Sequence, residues 1–156
     1  MIEQYYNDDG RQYLQMMQDI ISRLASNSAN CKTWLVTLVT SLLAIGTSIE
    51  SLNGWLFLTF LPILVFWSMD TYYLKLERGM RNREHLFINI VTSKEFDENA
   101  YKRTLFNFEP YDSITNNDEL GIVETEKVEW SNSIFPFYGV TLALAIVVTV
   151  ITLLTH

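Results

Sequence analysis

Cysteine is almost absent: Cys31 stands alone in 156 residues, so no internal disulfide can form and no thiolate cluster can hold a structural metal. Histidine is nearly as scarce, with His85 and His156 the 2 in the chain. Neither has a Cys or His partner at metal-ligating spacing, and none of the 6 glycines builds a phosphate-cradling loop. Glu84 and His85 adjoin, but neighbouring helical residues point about 100° apart, a poor geometry for an acid/base pair. Glu95, Asp97 and Glu98 could in principle hold a divalent cation, yet an acidic run of this kind is ordinarily a solvated turn. With no recognisable nucleophile and base, the sequence points away from an enzyme and calls for no cofactor. An excess of positive charge is missing too. The 11 Lys and Arg against 18 Asp and Glu give −7 at pH 7, which argues against nucleic acid as a partner, because phosphate binding needs a basic face.

What is present is an uneven distribution. At 49% apolar and 19% charged the average composition is ordinary, but Thr33 to Ile49, Trp55 to Met69 and Ile134 to Thr155 contain no charge at all. At 1.5 Å per residue the first and last runs reach roughly 26 and 33 Å, against a hydrocarbon core of about 30 Å. The middle run is shorter and needs Thr71 to Tyr73 to complete a crossing, with Lys75 extending its amine to the headgroups. Trp34, Trp55, Trp67 and Trp130 fall near the ends of these runs, where indole rings favour the headgroup level. The first run follows a polar segment and has no small-x-small cleavage site after it, so it reads as a retained span and not a signal peptide.

The expected fold is therefore an all-α membrane protein. It comprises a cytoplasmic amphipathic helix over 1–30, transmembrane helices over 33–49, 55–73 and 134–155, and a cytoplasmic helical extension with a small mixed segment over 74–132. Arg11, Arg23 and Lys32 precede the first span, and Lys75, Arg78, Arg81, Arg83, Lys94, Lys102, Arg103 and Lys127 lie between the second and third. The hairpin from Glu50 to Gly54 and the tail after the third span carry none. Lys and Arg in short loops stay inside, so the N-terminus and 74–132 are expected in the cytoplasm and the C-terminus outside.

In the first segment Tyr13, Met17, Ile20, Ile21 and Leu24 recur at helical spacing, opposite polar residues. Ser26, Asn27, Ser28 and Asn30 then read as a break that caps the next helix. The second span runs on without a breaker toward Phe87, and Pro62 is expected to kink it in mid-span by removing a backbone hydrogen bond. From Asn89 to Asn132 turn signals multiply, and the strand-like pattern over Gly121 to Trp130 is weak.

Three groups of residues stand out. Thr33, Thr37, Thr40, Ser41 and Ala44 in the first span, and Thr141, Ala145, Thr149 and Thr152 in the third, make stripes of small side chains that let helices approach closely in lipid. They serve either packing or a water-lined face in an oligomer. Asp70, at a span edge, reads either as an interfacial aspartate with Lys75 or Arg23 nearby, or as a switch, together with Arg23 and the bend at Pro62. Lys75, Arg78, Arg81 and Arg83 form a basic collar suited to anionic lipid headgroups.

Several strings carry a resemblance: Ile-Ile-Ser-Arg-Leu-Ala-Ser-Asn-Ser from Ile20, Lys-x-Trp-x-Val-Thr-Leu-Val from Lys32, Leu-Pro-Ile-Leu-Val-Phe-Trp-x-x-Asp from Leu61, and Phe-Tyr-Gly from Phe137. In their order they resemble a family of small bacterial three-span inner-membrane proteins. In plan the chain is also similar to the membrane effectors of phage-defence loci, the SLATT-like group among them. That likeness implies a homo-oligomer in the bacterial inner membrane that permeabilises it after a cytoplasmic protein or nucleotide signal. The alternative is a membrane-anchored scaffold or sensor subunit that docks a cytoplasmic partner.

Overall fold

The computed structural model describes residues 8–48, 57–93, 96–109 and 134–155. The Glu50 to Gly54 hairpin, Trp55, Lys94, Glu95, Trp130, Lys127, His156 and the weak strand over Gly121 to Trp130 lie outside them. Every regular element among the described residues is helical: α1 (Asp8–Ser48), α2 (Phe60–Thr92), α3 (Glu98–Thr104) and α4 (Phe135–Thr155). A single 3₁₀ turn over 57–59 leads into α2. α1, α2 and α4 are long and apolar enough to cross a membrane. With 41, 33 and 21 residues they are roughly 62, 50 and 32 Å long. Only α4 matches a bilayer by itself, so α1 and α2 each carry a polar half beyond the apolar one.

α1 is unbroken where the sequence suggested a break. Asp8 and Asp9 occupy its first turn, where negative charge complements the helix dipole. From there Gly10, Tyr13, Met17, Ile21, Ser28, Cys31, Leu35, Val39 and Gly46 are all buried, at steps that are multiples of the helical repeat. The Ser and Asn run at 26–30 has poor helix propensity, yet the penalty is only a few tenths of a kcal/mol per residue, and packing on this face exceeds it. Pro62 also falls elsewhere than expected. It is the third residue of α2, within the first turn, where its missing N–H is one of those that have no intrahelical acceptor, so it ends no hydrogen-bond ladder in mid-span.

The chain divides into two compact units. In one, comprising 1–25 and 75–126, Tyr13, Met17 and Ile21 of α1 meet Met80, Phe87 and Val91 of α2, with Tyr101 of α3 and Leu105 and Phe108 behind it packed against them. The Tyr13 ring stands edge-on to Phe87 at 4.8 Å, a geometry that matches the positive edge of one ring to the negative face of the other. α3 starts at Asp97, whose carboxylate accepts from the amides of Asn99 at 2.8 Å and Ala100 at 3.2 Å. Asp97 thus serves as a helix cap. In the other unit, comprising 26–74 and 127–156, Leu35 and Val39 of α1, Ile63 of α2 and Tyr138 and Ala145 of α4, joined by Ile134 just before α4, make the core.

Candidate functional site

Asp70 is fully buried, at 0% exposure, in the unit formed by the apolar halves of the long helices. An isolated carboxylate there would cost several kcal/mol, so its neighbours define the site. Ser28 donates its hydroxyl to Asp70 Oδ1. The Lys32 ammonium stands 2.9 Å from Oδ2 and 3.3 Å from the Ser28 hydroxyl oxygen. Among the described residues no hydrogen bond reaches Oδ2, so the ammonium is held there as an ion pair. Ser28 and Lys32 sit four residues apart on α1, which puts both on one face toward α2. α4 closes the third side: the Tyr138 hydroxyl neighbours the Asp70 carboxylate and donates to the Phe66 carbonyl at 3.1 Å, while its ring stacks on Trp67 at 6.0 Å. The cluster therefore ties all three long helices together at one level. Cys31, buried and unoxidised, lies on the same stretch of α1.

The sequence singled out Asp70 but named Lys75 or Arg23 as its neighbour. The ammonium in contact is that of Lys32, while exposed Arg23 directs its Nε to the Asp19 carbonyl one turn back at 3.4 Å. The signal that could have found Lys32 is the spacing Ser28, Lys32, Leu35, Val39, a single helical face running through the apparent break.

The two small-residue stripes lie differently. In α4, Ala145, Thr149 and Thr152 are buried and Thr141 is half-buried, so this stripe is used within the subunit. In α1, Thr33, Thr37, Thr40, Ser41 and Ala44 are all exposed, as are Thr47 and Ser48 beyond them. Their hydroxyls turn back on the helix: Thr37 donates to the Thr33 carbonyl at 3.0 Å, Ser41 to that of Thr37 at 2.8 Å and Ser48 to that of Ala44 at 2.6 Å. With the hydroxyls of Thr33, Thr37, Ser41, Thr47 and Ser48 satisfied internally, the exposed face is compatible with lipid or with another helix.

The basic collar is not uniform. Lys75 and Arg81 are exposed and Arg78 is half-buried, but Arg81 pairs with Glu77 one turn back at 2.8 Å. Arg83 does not face lipid at all. It is only 9% exposed, because Met80, Arg83, Phe87 and Val91 share the packing face of α2, and its Nη1 donates to the Asn107 carbonyl at 3.1 Å. The Tyr13 hydroxyl donates to the same carbonyl at 2.8 Å, so two donors from α1 and α2 fix the chain just after α3. Phe106 takes a positive φ of 58° there, an uncommon conformation for an aromatic residue that the two clamps hold in place.

Among the described residues no three His, Cys, Asp or Glu side chains converge as a metal centre requires. Comparison with protein-family models, with curated proteins and with solved structures finds no match.

Proposed function

We propose that this chain is an oligomeric inner-membrane effector, of the kind that acts in antiviral defence, which perturbs or permeabilises the bilayer in response to a cytoplasmic signal. The observation that carries the reading is the outward face of α1. Thr33, Thr37, Thr40, Ser41 and Ala44 are exposed on the subunit, whereas the equivalent stripe of α4 is consumed by internal packing. Small side chains on a lipid-facing helix lower the cost of close approach by a second helix, and hydroxyl contacts across such an interface contribute about 0.6 to 2 kcal/mol each. A ring of copies joined through α1 would line a path with threonine and serine oxygens.

In this reading the N-terminal stretch of α1 acts as the amphipathic cytoplasmic helix, with Tyr13, Met17 and Ile21 on its packed side. The N-terminus and 74–132 lie in the cytoplasm, His156 lies in the periplasm, and the signal, a protein or a nucleotide, reaches the cytoplasmic unit. Membrane lipid and further copies of the chain are the partners, and no enzyme step or cofactor is involved.

The second reading, a membrane-anchored scaffold or sensor subunit, draws on the fact that the cytoplasmic unit has its own core around Tyr13 and Phe87. Inducible expression in bacteria with a membrane-potential dye separates the two, the activating partner being supplied from the native gene neighbourhood. The effector reading expects depolarisation, and expects Thr37→Leu with Ala44→Leu to abolish it and to reduce oligomer size in mild detergent. Because both positions are exposed on the subunit, the fold itself should be unaffected. Unchanged depolarisation in the double variant would remove the basis of the effector reading, and harmless expression with the partner present would favour the scaffold.

A further inference from the structure

The chain leaves α3 at Leu105, which is extended with φ −62° and ψ 127°, and turns at once through Phe106 at φ 58°. Among the described residues Phe106 is the one non-glycine position with a positive φ. A residue with a Cβ disfavours that region by roughly ten-fold in population. The ring gives little in return, since Phe106 is 46% exposed and its centroid lies 6.0 Å from that of Tyr13. Such a conformation persists only where its surroundings enforce it, and it collects at clamps and switch regions.

The enforcement comes from the next two residues. The Asn107 carbonyl accepts from the Tyr13 hydroxyl of α1 at 2.8 Å and from Arg83 Nη1 of α2 at 3.1 Å, and the Phe108 ring lies 5.3 Å from Tyr13. Both hydrogen bonds end on one atom, so rotation of a single peptide unit breaks both. The helices beneath do not depend on that atom. The buried members of their shared cluster, Met17, Ile21 and Met80 among them, all belong to α1 and α2, and Leu105 and Phe108 pack against it from outside.

We propose that residues 105–109 are a releasable strap: the Asn107 carbonyl leaves Tyr13 and Arg83 together, Phe106 relaxes to an ordinary backbone conformation, and α1 and α2 stay packed beneath. The left-handed turn favours release, while the two donors and the Phe108 ring oppose it, so the strap is balanced between two states and not simply folded in place. Closed, it covers Tyr13, which is 1% exposed. Open, it presents the Tyr13 phenol and the Arg83 guanidinium side by side, both without the carbonyl they shared.

The test is amide hydrogen exchange of the full chain in mild detergent. The strap is followed at the amides of Asn107, bonded to the Thr104 carbonyl at 3.2 Å, and Glu109, bonded to Asn107 Oδ1 at 3.1 Å. The helices are followed over 17–24 and 80–91. Tyr13→Phe keeps the ring and removes one clamp, so exchange in the strap should rise about five-fold while the helices change by less than about two-fold. Phe106→Gly and Phe106→Ala both remove the exposed ring and differ in the cost of the left-handed turn. Allowing for the extra freedom of glycine in the open state, the strap should exchange about three-fold more slowly in Phe106→Gly than in Phe106→Ala. The proposal is overturned if Tyr13→Phe speeds the strap and the helices alike, which would make them one cooperative unit, or leaves the strap unchanged. It is equally overturned if Phe106→Gly exchanges as fast as Phe106→Ala, which would mean that no backbone strain favours release. The Phe106 pair keeps the test decisive if Tyr13→Phe fails to fold, because its side chain lies outside the buried cluster.

Discussion

Replacing Lys32 by Met keeps the length of the side chain and removes its charge, leaving the fully buried carboxylate of Asp70 with hydroxyl neighbours but without the ammonium that pairs with it. Removing one partner of a buried pair costs about 3 to 5 kcal/mol. The Lys32 side chain is 24% exposed, so water already reaches one side of the pair and screens it, and the expected loss is about 2 to 3 kcal/mol. Asp70→Asn removes the charge but leaves an oxygen that accepts from Ser28, and the freed ammonium can extend to the headgroups. That loss is about 1 to 2 kcal/mol. In the double variant no uncompensated charge remains, so its cost should be about 1 to 2 kcal/mol, well below the sum, with a coupling of about 2 kcal/mol. Reversible unfolding by sodium dodecyl sulfate from mild micelles, read by far-UV circular dichroism, measures all four corners of the cycle. Additivity to within about 0.5 kcal/mol would show that the two groups do not act as a pair and would refute the assignment of Lys32.

The unit built around Tyr13 and Phe87 yields two further expectations. The Tyr101 hydroxyl is buried without a hydrogen-bond partner among the described residues, so Tyr101→Phe should stabilise the protein by about 1 kcal/mol, and a loss of that size would mean the hydroxyl has a partner. Burial pushes the Tyr13 phenol above its ordinary 10.0, with Arg83 opposing, and burial together with the charge of Asp9 pushes Tyr101 in the same direction. The fold thus favours the neutral phenols: stability is complete below about pH 10 and declines as pH rises through the raised values. Tyr13→Phe should flatten part of that decline in an alkaline unfolding series, and an unchanged slope would contradict the burial of Tyr13.

The helices long and apolar enough to cross a membrane were legible because lipid imposes a constraint a spanning chain cannot hide: long runs without charge at Thr33 to Ile49 and Ile134 to Thr155. The continuation of the second helix toward Phe87 was equally readable, since nothing breaks it. Two local inferences failed for the same physical reason. Ser26 to Asn30 has the composition of a cap, and Pro62 that of a kink, but Ser and Asn propensities are worth only tenths of a kcal/mol per residue, the roughly 3 kcal/mol cost of proline applies only in a helix interior, and position decides the rest. Ser28 is turned inward to Asp70, and Pro62 falls in a first turn where its missing donor is not needed. Arg83 was misread because its charge suggested the surface, although its spacing with Met80, Phe87 and Val91 places it on the packed face. The stripes were visible as patterns, but which of them faces outward depends on how α4 packs against α1 and α2, and no single-helix pattern contains that.

The outward face of α1 supports the functional reading, and cysteine cross-linking tests it directly. In a Cys31→Ser background, cysteines placed singly at Thr37 and Ala44 should cross-link copies of the chain in native membranes under mild oxidation. A cysteine at Leu144, on the exposed face of α4 at 60% exposure, should not. A ladder of products from the α1 positions alone is the predicted result. Equal cross-linking at Leu144, or none at Thr37 and Ala44, would contradict an oligomer built on α1.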